Sequence, residues 1–400
     1  MEHPPMVLKY TAVLVRYGEL GLKSNQTRRR MTDLLTKEIR NALQEEQTPF
    51  SKIRSEWGRI FIETEQAQEA AKVVSQVFGI VSTSPVIETS SSLEDVLQKG
   101  ETLAKLEFNK GLTFAVKARR VGEHNYSSQD IREKLGERIL QNLSNLELKV
   151  NLSKPQQMIS IEVRDKRAYV FTKIVKGVGG MPTGSQGKVV CLISTGLDSP
   201  VAAYKVMKRG CIPIFVFSDN FPHSDESCAE VAIKQAKTLT RFIHSHDVKM
   251  YVVPHGTDLD NIIENTPRKM TCIFCKRNML RLAERVAILE NADCIVTGEI
   301  IGEQASQTTQ NLRAIETAVC DFPILRPCAG DDKVEIEKMA QKIGTYEFAR
   351  EAVSCCTLAP EYPIIQSNID DVQSADEKLD LTILDQEIQL ARVLLIRKSD

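Results

Sequence analysis

The chain has 400 residues, enough for two or three domains of ordinary size. Hydrophobic residues make up 42% and charged residues 26%, which excludes collagen, coiled coil and wholesale disorder. The net charge of −1 hides a change of sign: 28 Lys and Arg stand against 22 Asp and Glu up to residue 187, and 24 against 31 beyond it.

The start, MEHPPMVLKY, has no apolar stretch of the signal-peptide kind, and no apolar run approaches the roughly 20 residues of a membrane span. A cytoplasmic protein without a membrane partner is expected. A strand over 8–16, a helix over 28–44 and strands over 52–56 and 59–63, turning at Trp57-Gly58, form a small α+β unit. Helices follow over 67–78 and 92–106, then a strand over 113–119. The next helix, over 127–143, opens with Ser127-x-x-Asp130 and carries Ile131, Leu135 and Ile139 on one face. Strands over 158–164 and 167–175 join at Asp165-Lys166. GVGGMPTGSQG, with five glycines in eleven residues, then reads as a linker.

Beyond it, apolar strands over 189–193, 211–217, 250–253, 294–297 and 324–326 alternate with helical stretches. Near-continuous apolar strands of this kind indicate a doubly wound α/β domain with a parallel sheet, its ligand at the carboxyl ends of the strands. From about residue 375 the tail is charged, then amphipathic, and reads as a last helix. All ten cysteines lie in this half. Without a secretion signal they suggest core packing, metal binding or redox chemistry rather than disulfides, and Cys191, Cys211 and Cys294 sit in apolar runs as small hydrophobes.

After the first of these strands comes Ser194-Thr195-Gly196-Leu197-Asp198-Ser199-Pro200 and a helix over 201–209. A tight loop of small residues at a helix start binds phosphate, with Ser199 as cap and Pro200 in the first turn. Neither a Walker Lys-Ser/Thr nor G-x-G-x-x-G is present. The loop resembles the S-G-G-x-D-S signature of the pyrophosphatase-loop family, with Thr195 departing at the second position. Further stretches are similar to the tRNA 4-thiouridine synthetase family over about residues 8–365. They are Arg16-Tyr17-Gly18-Glu19-Leu20-Gly21-Leu22-Lys23, Gly179-Gly180-Met181-Pro182-Thr183-Gly184, Thr297-Gly298-Glu299 with Ala305-Ser306-Gln307-Thr308, and Ile343-Gly344-Thr345-Tyr346-Glu347. Gly302-Glu303-Gln304 departs from the family pattern.

The resemblance implies a ferredoxin-like domain over 1–65, a tRNA-binding THUMP domain over 66–177, a linker over 178–187 and an ATP-binding catalytic domain over 188–400. It places ATP against Leu192, Ile193, the loop residues Ser194, Thr195, Gly196, Asp198 and Ser199, then Phe217, Ser218, Arg277, Gly298 and Gln307. Asp198 would hold Mg²⁺ or orient the pyrophosphate. Lys117, Arg119 and Arg120 would meet RNA phosphates, whereas Arg28-Arg29-Arg30 points three ways from a helix. The implied reaction adenylates O4 of a tRNA uridine, uridine 8 in the family, and replaces it with sulfur.

Cys272-Ile273-Phe274-Cys275 heads a helix running through Met279, Leu282 and Val286, where thiolates are stabilised. With Cys355-Cys356 three readings stand open: a zinc site, for which His255 is the only nearby histidine, a redox dithiol carrying persulfide, and an iron–sulfur cluster. The favoured one is a 4Fe-4S cluster held by Cys272, Cys275 and Cys356, with sulfide as the nucleophile; Cys356 matches the family's functional cysteine in its C-C-T context. About 40 residues after the last motif leave no room for the rhodanese domain of some relatives. Sulfide or a persulfide donor would then come from outside, and no role in thiazole synthesis is expected. The remaining expected partners are tRNA and, in a homodimer, a second copy. The alternatives are a tRNA thiolase acting on C2 of a pyrimidine and a THUMP-type RNA-binding protein with an inactive nucleotide domain.

Overall fold

The computed structural model describes residues 10–351 and 356–396. It divides into two compact units, one up to Met181 and one from Pro182. Leu8 and Lys9 of the first expected strand, and Cys355, lie outside the described residues.

Unit one runs β1 (Ala12–Tyr17), α1 (Asn25–Glu45), β2 (Lys52–Glu56), β3 (Arg59–Glu63), α2 (Ala67–Ser75) and β4 (Ile80–Ser90). It continues with α3 (Leu93–Glu107), β5 (Thr113–Val121), α4 (Ser128–Asn142), β6 (Lys149–Val150), β7 (Gln157–Arg164), β8 (Arg167–Phe171) and β9 (Val175–Lys176). One sheet spans it in the order β2-β3-β1-β4-β8-β7-β5-β6, with β9 beside β4. Ser24 caps α1, and the capping box of Ser127 and Asp130 starts α4. Val13, Val15, Ile60 and Ile62 pack with Leu35, Ile39 and Ile131 on the helix side. On the opposite side Leu14, Phe61, Val86, Tyr169 and Phe171 form a smaller core, in which the rings of Phe61 and Tyr169 stack 4.3 Å apart.

Strand β4 has no counterpart among the sequence expectations. Its sequence, IVSTSPVIETS, lacks apolar alternation because polar Thr83 and Ser84 fill buried positions, Thr83 donating to the Ala71 carbonyl at 2.7 Å; it pairs with β1 over its first half and with β8 over its second. The glycine-rich stretch is also not loose chain. Gly177 and Gly179 donate to Val81 and Ile80, while Gln186 donates to Gly210. A Cβ on Gly177 would stand 2.1 Å from the Ile80 carbonyl oxygen, so only glycine fits this close approach.

Unit two runs β10 (Lys188–Leu192), α5 (Asp198–Lys208), β11 (Ile212–Asp219), α6 (Ser227–Thr240), β12 (Val248–Pro254), α7 (Gly256–Asn265) and α8 (Thr271–Glu290). Then come β13 (Cys294–Val296), α9 (Thr309–Glu316), β14 (Ile324–Leu325), α10 (Lys333–Ile343), α11 (Tyr346–Glu351), α12 (Ile369–Asp376), α13 (Thr382–Gln389) and β15 (Arg392–Ile396). The sheet order is β14-β13-β10-β11-β12-β15. Five strands are parallel and β15 is antiparallel to β12. The expected doubly wound sheet is present, and its order reverses between β10 and β13, which opens a crevice at their carboxyl ends. From about residue 375 the tail holds the expected helix, as the short α13, and then the edge strand β15, which was not expected.

Candidate functional site

A cavity of about 680 Å³ opens at that crevice, within the range of small-molecule sites. Its floor is the turn from β10 into α5. The Ser194 amide donates to Ser199 Oγ at 2.8 Å, the two hydroxyls lie 2.8 Å apart, and the Gly196 amide donates to Ser194 Oγ at 3.2 Å. Gln235 of α6 grips the loop from behind, its amide donating to the Thr195 carbonyl at 3.0 Å. Ser199 is not the helix cap expected from the sequence. α5 starts at Asp198 with Leu197 as N-cap, and the Ser199 hydroxyl turns back to close the loop. Gly298, just past β13, lies against this helix start: a Cβ there would stand 2.5 Å from Ser199 N.

Leu192, Ile193, Ser194, Thr195, Gly196, Asp198, Ser199, Phe217, Ser218, Gly298 and Gln307 all line this one cavity. Arg277 does not. It is 2% exposed, its guanidinium pairs with Asp376 at 2.9 Å, and it donates to the Ala314 carbonyl and to Thr317. With Arg281, which also pairs with Asp376, it fastens α8 to α12. The cation that α8 turns to the cavity is the neighbouring Lys276, 3.2 Å from Glu299. Burial pushes the Glu299 carboxyl up, but Lys276 and Arg326 overcome it and hold it below the usual range. Asp198 meets Lys333, at the head of α10, at 2.7 Å, and Lys333 also meets Glu303 at 2.6 Å. Burial outweighs this lysine and leaves the Asp198 carboxyl raised.

Cys272, Cys275 and Cys356 line the same cavity. The helix start does not make Cys272 a ready thiolate, as the sequence reading had it. Burial, with the neighbouring sulfurs of Cys275 and Cys356, pushes it up to about 11. Cys356 is raised by burial too, although the Leu358 amide donates to its sulfur at 3.4 Å. Three thiols on one wall match in kind and number a cluster bound through three thiolates. Among the described residues no three His, Cys, Asp or Glu side chains stand close enough to hold a metal ion. Behind Cys275 lies His255, wholly buried, with Nε2 3.9 Å from the sulfur and Nδ1 3.2 Å from Glu387 of α13. Burial works to lower the His255 pKa, but these bonds and the charges of Cys275 and Asp258 bring it to about 10.

In unit one, β5 turns Lys117 and Arg119 outward, away from Phe114, Val116 and Ala118, which face the helix-side core. Arg120 points the other way and donates to the Gly122 carbonyl at 2.8 Å. The three basic residues named from the sequence therefore do not form one cluster.

Lys276, Lys333, Gln235 and Glu387 were not singled out from the sequence. A helical-wheel signal existed for the first: 272, 275, 276 and 279 share one face of α8, whereas 277 and 281 share another.

Three domain families match the chain: a ThiI ferredoxin-like domain over residues 12–84, a THUMP domain over 90–173, and Thiamine biosynthesis protein (ThiI) over 184–381. A probable tRNA sulfurtransferase of Methanosarcina mazei is 40% identical over 96% of this chain and 95% of its own. Its counterpart in Caldanaerobacter subterraneus is 34% identical over 92% and 95%. Among solved structures, a 4-thiouridine synthetase–RNA complex with bound ATP superposes with a TM-score of 0.86 at 30% identity, covering 97% of this chain and 100% of that one. No described helix is long and apolar enough to cross a membrane.

Proposed function

The chain belongs to the tRNA sulfurtransferase (ThiI) family and is an enzyme that sulfurates tRNA; from this premise we propose that it makes 4-thiouridine, at uridine 8, by two steps in the unit-two cavity. In the first, uridine O4 attacks the α-phosphorus of ATP, the bond to the bridging oxygen breaks and pyrophosphate leaves. A carbonyl oxygen, itself a poor leaving group, has then become an adenylate ester. In the second, sulfur attacks C4 and AMP departs with O4.

The observation that carries this reading is that one cavity is floored by the β10–α5 loop and walled by the three cysteines, so both half-reactions share a space. The loop amides and the α5 start take the phosphates, the ends of β10 and β11 at Ile193 and Phe217 take the adenine, and Lys276 supplies the positive charge. Asp198 would face the Mg²⁺ that accompanies ATP, exchanging Lys333 for it. Cys272, Cys275 and Cys356 would hold an iron–sulfur cluster, which when bound offers an iron that no side chain saturates and so a seat for sulfide. Outward-facing Lys117 and Arg119 take RNA phosphates.

The test is 4-thiouridine formation on unmodified tRNA with ATP, Mg²⁺ and sulfide, comparing anaerobically iron-reconstituted with iron-free protein and mapping the modified position. Product at uridine 8 from the reconstituted form alone is expected. Equal product from both removes the cluster from catalysis; none from either, with tRNA still bound, leaves an RNA-binding protein with an inactive nucleotide domain. Cys272→Ser and Cys356→Ser should each abolish product while keeping tRNA-dependent ATP–pyrophosphate exchange, since adenylation precedes sulfur transfer.

A further inference from the structure

Trp57, the chain's single tryptophan, stands at the tip of the β2–β3 hairpin with 71% of its surface exposed. A large ring left in water on a loose turn would be unremarkable, but this turn is fastened. Arg164 of β7 donates to the Trp57 carbonyl at 2.9 Å, Arg59 to the Gly58 carbonyl at 2.7 Å, and the Gly58 amide donates to the Tyr17 hydroxyl at 3.0 Å. Strands from both halves of unit one thus fasten the turn that carries the indole. Arg28, from the first turns of α1, lies 5.9 Å over its ring.

On the hairpin Arg54 is matched by Glu56, Glu63 and Glu88, whereas the other arginines there outnumber their partners. Arg59 and Arg164 share one carboxylate, Glu162, at 3.0 and 2.7 Å, and burial beside these two guanidiniums pulls Arg16 down to about 10 despite Glu162. On β7 the apolar Ile159, Ile161 and Val163 face the helix-side core, so Glu162 and Arg164 share the opposite face with Arg119, which registers beside Glu162. Cations therefore run along one sheet face from Lys117 and Arg119 to the foot of Trp57.

We propose that Trp57 is a stacking platform for an unpaired RNA base, forming the aromatic end of the cationic track that begins at Lys117 and Arg119. An exposed ring on a fastened turn beside surplus guanidinium charge suits a single strand: a π-face for the base and cations for the phosphates on either side of it. Charge complementarity selects RNA over an acidic or apolar protein surface, because Arg28 lies over the ring and Arg59 and Arg164 hold the turn beneath it. The proposal rests on the reading that unit one binds tRNA.

The single tryptophan makes the full-length protein its own probe. Titration with unmodified tRNA should quench its emission saturably, single-stranded RNA should compete for the quench, and duplex RNA should compete poorly. Trp57→Ala should raise the tRNA Kd, measured by filter binding, by roughly 5- to 150-fold, as expected for one lost base stack of ~1–3 kcal/mol. Trp57→Phe should lose less, and both variants should keep the wild-type circular dichroism. Emission unchanged at saturating tRNA, with Trp57→Ala binding as wild type, overturns the proposal. The tRNA-binding reading survives that outcome if Lys117→Glu and Arg119→Glu weaken binding. Absence of any tRNA binding by the wild-type chain overturns both.

Discussion

At Gly298 the backbone of the β13 end and the amide of Ser199 approach so closely that a single methyl group would displace one of them. Gly298→Ala is therefore expected to push the α5 start out of place. Tenfold or greater loss of tRNA-dependent ATP–pyrophosphate exchange should accompany about 1–3 kcal/mol of overpacking destabilisation in urea unfolding. The glycine was legible in the sequence as part of Thr297-Gly298-Glu299; its reason was not, since the contact is made across the sheet. Arg277 shows the converse. Residue type predicted a phosphate-binding cation on α8, but Arg277 and Lys276 are one residue and about a quarter-turn apart, and only Lys276 has the angle to reach the cavity. The three cysteines were legible as a set because their chemistry is rare, and His255 as the histidine nearest them in sequence, whereas Glu387 comes from α13, which adjoins α7 and α8 only in the fold.

At the scale of elements, Asp376 of α12 is the clasp on the cysteine helix, taking both Arg277 and Arg281. Asp376→Ala should cost about 3–5 kcal/mol, because it leaves buried guanidiniums unpaired. Burial alone would raise the Asp376 carboxyl, but Arg281 and Arg277 hold it below the usual carboxylate range. Its contribution to stability is thus complete above the unfolded value, near 4, and disappears as pH falls through the lower folded value. Urea midpoints followed downward from pH 5 should show an acid limb in the wild type that Asp376→Asn flattens. The parallel strands were readable because burial on both faces makes them apolar throughout. β4 and β15 were not: β4 buries polar Thr83 and Ser84, and β15, a five-residue edge strand, follows a helical stretch whose amphipathic pattern runs into it.

Across the whole molecule, the change of charge sign falls close to the division between the two units, each with a core of its own. Residues 10–181 produced alone should fold and bind tRNA with an affinity that drops steeply as salt rises. They should show no ATP–pyrophosphate exchange. The order in which the ribosome delivers the chain bears differently on the two units. Unit one also joins distant segments, but it closes sooner: β4 waits for β8 only from Ser90 to Arg167. In unit two, β12 receives its outer partner β15, and His255 its Glu387, only after everything from α7 to α13 has emerged. The wall behind the cysteines is thus knitted last, and until then β12 is a bare edge open to mispairing. Slow translation through the α12–β15 segment should lower the yield of soluble protein more than the same delay inside unit one.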